Sequence, residues 1–153
     1  MKTRTVLVLA AAALAATTAT TQEHFTQGPV WVVSYYRIGP DQFDAYMKYV
    51  RSSVLPQGDE AKKQGLVLES KMFLKFPDGP DDWDVAFAAL FRSAADALDY
   101  SKERDDKGKA LAEKHFKTAD EDKQREAIKP RLEMRRYLGT RMLREVTLKP
   151  MSR

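Results

Sequence analysis

The 153-residue sequence contains no cysteine and only two histidines. The absence of cysteine excludes disulfide bonds, thiolate metal sites, a thiol nucleophile and a lipid anchor on cysteine. The sequence also lacks a phosphate-binding loop, a nucleophile elbow and a paired-histidine metal motif. The core alone must therefore stabilise the folded chain, and no motif in it specifies a reaction.

The sequence also lacks an apolar run long enough to span a bilayer comfortably. The run Val6–Ala16 follows the positive residues Lys2 and Arg4, and small residues around it provide cleavage sites after Ala15 or Ala19. This layout is typical of a secretory signal peptide, and a retained membrane anchor is the alternative. We therefore expect a periplasmic or secreted protein without stable membrane insertion after signal cleavage, which agrees with a chain that needs no disulfides.

A strong net charge is absent as well. The formal net charge is +4, and two of the positive residues, Lys2 and Arg4, belong to the expected signal peptide. Acidic and basic residues alternate closely, as in Lys102–Lys107, which is typical of a solvated helix face rather than a phosphate-binding surface. We therefore expect no nucleic-acid partner.

The rest of the sequence has the size and composition of one globular domain, with 43% hydrophobic and 31% charged residues. We expect a signal peptide over residues 1–19, a flexible lead-in over residues 20–28 and one domain over residues 29–153. Runs rich in β-branched and aromatic residues predict four strands. These are Val30–Ile38, Leu66–Phe76, Trp83–Phe91 and Thr140–Leu148.

Two helical regions separate these strands. The first has an apolar stripe at helical spacing over Phe43–Leu55, after which we expect Pro56 to interrupt the helix and Gly65 to end the region. The second covers residues 94–138, with Ser93 as its expected N-cap. Breaks in it are predicted at Gly108, Thr118 and Pro130. The order β-α-β-β-α-β predicts a ferredoxin-like α+β fold with an antiparallel sheet and an extended second helical segment.

One face of the predicted sheet is expected to carry the helices, and the other face is also rich in apolar side chains. We call the second one the open face and define it by the residues that alternate onto it: Trp31, Val33, Tyr35, Arg37, Val67, Glu69, Lys71, Phe73, Ala86, Ala88 and Leu90. An antiparallel sheet with one wet face carries polar residues there. We therefore expect a second copy of the chain to cover the open face, and cover by the extra helical segment is the alternative.

Three segments carry a family resemblance: the strand Trp31–Ile38 with Gly39-Pro40-Asp41, the helix Phe43–Val50 and the run Val54–Gly65. They resemble the dimeric α/β-barrel superfamily, which includes antibiotic-biosynthesis-monooxygenase-like, EthD-like and NIPSNAP-like proteins. The resemblance implies a homodimer whose two sheets form one barrel. The superfamily includes oxygenases, haem-degrading enzymes, peroxidases and isomerases, so the fold implies no single activity. The export signal and the long segment 94–138 depart from the family pattern.

The open face also holds the residues that we expect to carry chemistry. Tyr35 and Glu69 are candidate catalytic acids or bases. The candidate substrate-binding residues are Arg37 and Lys71, which could hold an anion, Trp31 and Phe73, which could line a cavity, and Ala86 and Ala88, whose small side chains leave room for a ligand. The alternative is an interface in which the charged residues form salt bridges and no ligand binds.

His115 is the one histidine in the predicted domain, because His24 lies in the lead-in. Haem-degrading members of the superfamily place a histidine in the second helical region, so the resemblance implies that His115 is a haem ligand. The nearby Leu111 and Phe116 favour the alternative of a partly buried helix histidine. The aspartates around Trp83 do not have the spacing of a known calcium loop, so we expect no metal and no cofactor.

Two hypotheses about function follow. In the first, the protein is an exported homodimer that binds or converts a small, partly apolar molecule in a cavity between the two sheets. As an enzyme it would be a cofactor-independent monooxygenase or a lyase or isomerase, because side chains alone would supply the chemistry. In the second, it is a non-catalytic periplasmic accessory protein whose charged helical segment contacts a partner.

Overall fold

The computed structural model describes residues 24–151, and the expected signal peptide lies outside these residues. The strands are β1 (Phe25–Ile38), β2 (Glu69–Leu74), β3 (Val85–Phe91) and β4 (Arg135–Leu148). The helices are α1 (Phe43–Tyr49), α2 (Leu55–Lys63), α3 (Ala94–Leu98), α4 (Lys102–Phe116) and α5 (Glu121–Glu133), with a π-helical segment (Val50–Val54) between α1 and α2.

The four strands form one antiparallel sheet in the order β2-β3-β1-β4. The helices α1 and α2 connect β1 to β2, and α3, α4 and α5 connect β3 to β4. The prediction of an α+β fold with an antiparallel sheet is confirmed, and the architecture is compatible with a ferredoxin-like fold.

The strands β1 and β4 are both longer than predicted. β1 begins at Phe25, so residues 25–28 are strand rather than lead-in, while residues 20–23 lie outside the described part. β4 begins at Arg135 instead of Thr140. The two strands pair along almost their full length, and each supplies the backbone hydrogen-bond partners that keep the other extended. Local sequence patterns do not reveal such mutual extension.

The strands β2 and β3 form the expected hairpin but are shorter than predicted. The turn between them is fixed by a side chain rather than by further strand pairing. The Asp82 carboxylate accepts hydrogen bonds from the backbone N–H groups of Asp78 and Trp83. Such local bonds from aspartate are a common alternative to sheet pairing, so the strands end early.

The predicted interruption at Pro56 was wrong, because the chain stays helical through Lys63. The preceding π-helical segment shows how the proline is accommodated: the N–H of Leu55 bonds to the carbonyl of Val50, as in a π-helix. Proline lacks an N–H and clashes with the carbonyl four residues earlier, and the wider π turn allows the backbone to remain helical. Gly65 ends the region as predicted, with a left-handed φ of 71°.

The second helical region breaks between α4 and α5, where Lys117 has a left-handed φ of 56° beside the predicted break at Thr118. Ser93 caps α3 as predicted, because its hydroxyl accepts a backbone N–H. The predicted breaks at Gly108 and Pro130 were wrong, since both residues lie inside helices. A single glycine costs a helix only about 1 kcal/mol, and Pro130 lies near the end of α5, where few helical bonds remain to be broken.

The main core lies between the sheet and α1. It consists of Ile38, Tyr46, Val50 and Val85, each at most 6% exposed, and we call these four residues the tight core. A second buried cluster, formed by Val33, Ala86 and Ala88, lies on the open face. Three aromatic side chains of the same chain pack against it: Trp31, Tyr35 and Trp83.

Candidate functional site

A cavity of about 580 Å³ lies between the helix-covered face of the sheet and helices α2, α4 and α5. Small-molecule sites typically enclose roughly 300–1,000 Å³ and have mostly apolar walls, as this cavity does. It is lined by Val32, Ser34, Tyr36, Val54, Leu55, Gln57, Gly58, Ala61, Leu66, Val67, Ser70, Lys71, Met72, Phe87, Ala88, Ala89, Phe91, Gly108, Leu111, Arg131 and Arg135.

Small residues on both sides keep this space open. Ala89 belongs to the wall formed by the sheet and is only half-buried. On the helical side, a Cβ added to Gly108 would meet no atom within 4 Å. A Cβ on Gly58, in contrast, would come within 3.1 Å of Ser70 Oγ, so α2 approaches the sheet closely at that point. The space therefore lies beside a close helix–sheet contact.

Two arginines line the cavity, Arg131 of α5 and Arg135 at the start of β4. The Arg135 guanidinium carbon lies 3.8 Å from the Tyr36 ring centroid, and its Nη1 donates a hydrogen bond of 2.8 Å to the Tyr46 hydroxyl. The Arg131 guanidinium carbon lies 5.9 Å from the Tyr49 ring centroid, and its buried Nε has no hydrogen-bond partner. Within residues 24–151, neither arginine forms an ion pair with a carboxylate.

The tight core holds Arg135 in place through Tyr46. Burial raises the pKa of the Tyr46 hydroxyl, and the hydrogen bond from Arg135 partly opposes this shift. The phenol is therefore neutral at ordinary pH and acts as an acceptor for the guanidinium. Because Tyr46 is fully buried, it fixes the position of Arg135 at the cavity.

Two other polar side chains of the cavity wall, Ser34 and Gln57, already have partners. The Ser34 and Thr140 hydroxyl oxygens lie 2.8 Å apart, and Thr140 is also 2.8 Å from the Tyr137 hydroxyl. The Gln57 amide donates to the carbonyl of Ser53 at 3.2 Å. In contrast, the Nε of Arg131 has no hydrogen-bond partner, and Arg135 uses only part of its donors on Tyr46.

The predicted site residues lie on the open face, as their strand alternation requires. Tyr35 packs against Trp83 with ring centroids 5.2 Å apart. Ala86 and Ala88 are 1% and 3% exposed, so the room expected above them is filled by neighbouring aromatic side chains. Phe73 is 46% exposed and lies at the edge of this cluster.

The charged residues of the open face contact different partners. Arg37 Nε lies 3.8 Å from an Asp84 carboxylate oxygen, and the Lys71 ammonium lies 5.2 Å from the centroid of Trp31. Trp31 itself donates a hydrogen bond to the Glu145 carboxylate. These side chains do not converge: among the described residues, no hydrogen bond or ion pair joins Tyr35, Arg37, Glu69 and Lys71 to one another.

Glu69 is held at the sheet edge by α2. Its carboxylate lies 2.8 Å from the Lys62 ammonium, and this hydrogen bond, with a second from the Ser70 N–H, lowers the pKa of Glu69. An efficient general base has a pKa near the operating pH. The direction of this shift therefore moves Glu69 away from that role.

His115 lies where α4 meets the π-helical segment. Its Nε2 is 2.9 Å from Ser53 Oγ, and its ring packs edge-on against Phe116 with centroids 4.7 Å apart. A smaller cavity of about 280 Å³ borders the ring. Ligation of haem iron through Nε2 would first require that the bond to Ser53 be broken.

Arg131 and Arg135 were not among the site residues predicted from the sequence, because the charges of the second helical region were expected to be solvated. One signal was available. Helical neighbours lie three or four positions apart, and those of Arg131 include no acid. They are Ala127 and Ile128 in α5 and Met134 at its C-terminal cap.

No cluster of acidic and histidine side chains suited to a metal ion occurs within residues 24–151. In the same range, no helix combines the length and apolar character needed to cross a membrane. Comparisons of the chain with protein-family models, with curated proteins and with solved structures each found no match.

Proposed function

We propose that the protein binds a small, largely apolar molecule in the cavity between the sheet and α2, α4 and α5. The observation that carries this proposal is the apolar space of about 580 Å³ within a single chain. The space is a cleft that is partly open to solvent, and small-molecule sites are commonly concave clefts of this kind. A space of this size, kept open by small residues of a strand and two helices, is typical of a ligand site.

The proposed site differs in place from the cavity expected between two sheets, which would require a second copy of the chain. It favours binding over conversion. The candidate acid or base Tyr35 packs on Trp83 on the opposite face of the sheet, and Glu69 is paired with Lys62. Monooxygenase, lyase or isomerase chemistry is therefore not part of the proposal.

We also propose that two chains pair through their open faces into a dimeric α/β barrel that acts in the periplasm or outside the cell. Phe73 and Leu143 support the pairing, because they are 46% and 52% exposed on that face. Trp31, Tyr35 and Trp83 already cover the centre of the face. A partner would therefore remove mainly its outer apolar side chains from water, which favours association.

Native mass spectrometry of the purified protein lacking its first 19 residues tests both proposals. We expect the mass of a dimer. Each chain should either carry a bound small molecule or bind the neutral apolar dye Nile red. An Ala89→Leu substitution places a larger side chain in the cavity wall. It should abolish the fluorescence increase of Nile red and leave the dimer intact. The control, Ala110→Leu, makes the same change at an exposed position of α4 and should leave dye binding unaltered.

Two outcomes would contradict these proposals separately. Equal dye binding by the wild type and Ala89→Leu would show that the dye does not occupy the cavity. A monomer mass at high micromolar concentration would exclude the homodimer without affecting the cavity, because all the lining residues belong to one chain.

A further inference from the structure

We infer that the ligand of the cavity is an organic acid, with a carboxylate on an apolar body, and that Arg131 and Arg135 bind the carboxylate. This inference rests on the proposed binding function and specifies the chemical class of the ligand. The charge of the wall, the lack of ion pairs at the two arginines and the fixed position of one of them each support it.

The wall of the cavity carries positive charge without negative charge. Arg131 and Arg135 line it, and none of the lining residues is acidic. Lys71 also borders the cavity, but its ammonium lies over the Trp31 ring on the open face. A charge beside apolar walls is costly when it is unpaired, and a ligand carboxylate would offset that cost.

The two arginines differ from the basic residues that precede them in α5. Lys123, Arg125 and Lys129 each lie within 4 Å of an acidic side chain three or four positions away. Arg131 instead forms no ion pair within residues 24–151, and it lines the same cavity as Arg135 of β4. An anion in the cavity would attract both positive charges.

The arginines also have N–H donors without partners, and the contacts of Arg135 fix its position at the cavity. Stacking on Tyr36 and the hydrogen bond to Tyr46 hold Arg135, and these use only part of its five N–H donors. The buried Nε of Arg131 has no partner. The planar fork of guanidinium matches a carboxylate in two parallel hydrogen bonds.

A carboxylate suits this cavity better than a doubly charged phosphate does. The wall offers few other polar groups, and Ser34 and Gln57 are already hydrogen-bonded. Each additional buried negative charge would need further donors to replace its water. A single negative charge with an apolar body matches two guanidinium groups beside apolar side chains.

The test compares naphthoic acid with naphthamide, an uncharged molecule of almost the same shape, as competitors of Nile red. We expect the acid to bind at least about tenfold more tightly to the wild type, as charge-assisted hydrogen bonds imply. Arg131→Gln should abolish this preference, because it should lower the affinity for the acid far more than the affinity for the amide. The buried Nε of Arg131 has no hydrogen-bond partner, so we expect its substitution to leave the fold intact, which the melting temperature checks.

Arg125→Gln is the matched control, since it removes the same charge from the exposed surface of the same helix. It should retain the preference for the acid. A loss equal to that of Arg131→Gln would overturn the inference, because it would assign the effect to general surface charge. Equal wild-type affinities for acid and amide, with Nile red still bound, would overturn the inference and leave the binding function intact. Absence of dye binding would contradict the binding function itself.

Discussion

The helix-covered face of the sheet has two halves that pack differently, and strand β3 runs through both. At its first residue, Val85 is fully buried in the tight core with Tyr46 and Val50. Four residues later on the same face, Ala89 is only half-buried and lines the cavity. The open space is therefore a local feature next to a close-packed core and not a sign of loose packing throughout.

The difference arises in the helical layer rather than in the sheet. Helix α1 directs Tyr46 into the sheet, and the π-helical segment contributes Val50. Helix α2 has no buried residue, and it places Gly58 and Ala61 above the sheet instead. The comparison shows how one small domain can combine a close-packed core with an open cavity: large side chains fill one half, and small ones leave the other open.

The largest difference in stability is expected when one side chain is changed in each half. Val85→Ala removes buried methyl groups from the tight core and should lower the free energy of unfolding by about 2–3 kcal/mol. Ala89→Leu adds volume where space exists and should change it by less than about 1 kcal/mol. Urea unfolding followed by circular dichroism measures both values.

Ala86→Leu provides the control for Ala89→Leu, because Ala86 is on the same strand but is 1% exposed. Overpacking a filled site costs about 1–3 kcal/mol. A cost for Ala89→Leu as large as that for Ala86→Leu would mean that the two sites are equally full, and the proposed contrast between the halves would fail.

The arrangement of strands could be predicted because it depends on local patterns. Alternating β-branched and aromatic residues marked the four strands, and the Ser93 cap and the Gly65 helix end depend on residues adjacent in sequence. The strand ends could not be predicted in the same way. Phe25 remains in a strand because Leu148 pairs with it from the far end of the chain.

The cavity could not be predicted for a similar reason. It depends on small residues that are far apart in sequence, such as Gly58, Ala89 and Gly108, and none of them signals a cavity alone. The hydrogen bond that places Arg135 joins it to Tyr46 across 89 residues. Sequence analysis instead assigned the ligand to the open face, where strand alternation made apolar and polar residues visible.

A smaller change in the free energy of unfolding is expected at Tyr46, which links the tight core to the cavity. Tyr46→Phe retains the ring and removes the hydrogen bond to Arg135, so we expect a loss of about 1–2 kcal/mol in the free energy of unfolding at neutral pH. Burial raises the pKa of Tyr46 above its value of about 10 in the unfolded chain. The advantage of the wild type should therefore be complete below pH 10 or so and should shrink as the pH rises through the higher folded value.

Chemical unfolding of the wild type and Tyr46→Phe at a series of alkaline pH values measures this advantage. The difference between the two proteins isolates the contribution of Tyr46, because all other residues are the same in both. An advantage that grows with rising pH would have the wrong sign and would contradict the burial of a neutral phenol.

The smallest effect concerns the boundary between the two halves, where Ser53 of the π-helical segment contacts His115 of α4. Ser53→Ala should cost about 1 kcal/mol, because it leaves the imidazole without this partner. Since α4 forms one side of the cavity, its amide hydrogens should exchange faster in the variant while those around Val85 remain protected.

Ser52→Ala is the control, because the Ser52 hydroxyl is exposed and bonds only to the Tyr49 carbonyl in the same helical stretch. Equal exchange of α4 in both variants would mean that the Ser53–His115 contact does not hold that side of the cavity. The position of α4 would then depend on the ion pair that Lys114 of α4 forms with Glu60 of α2.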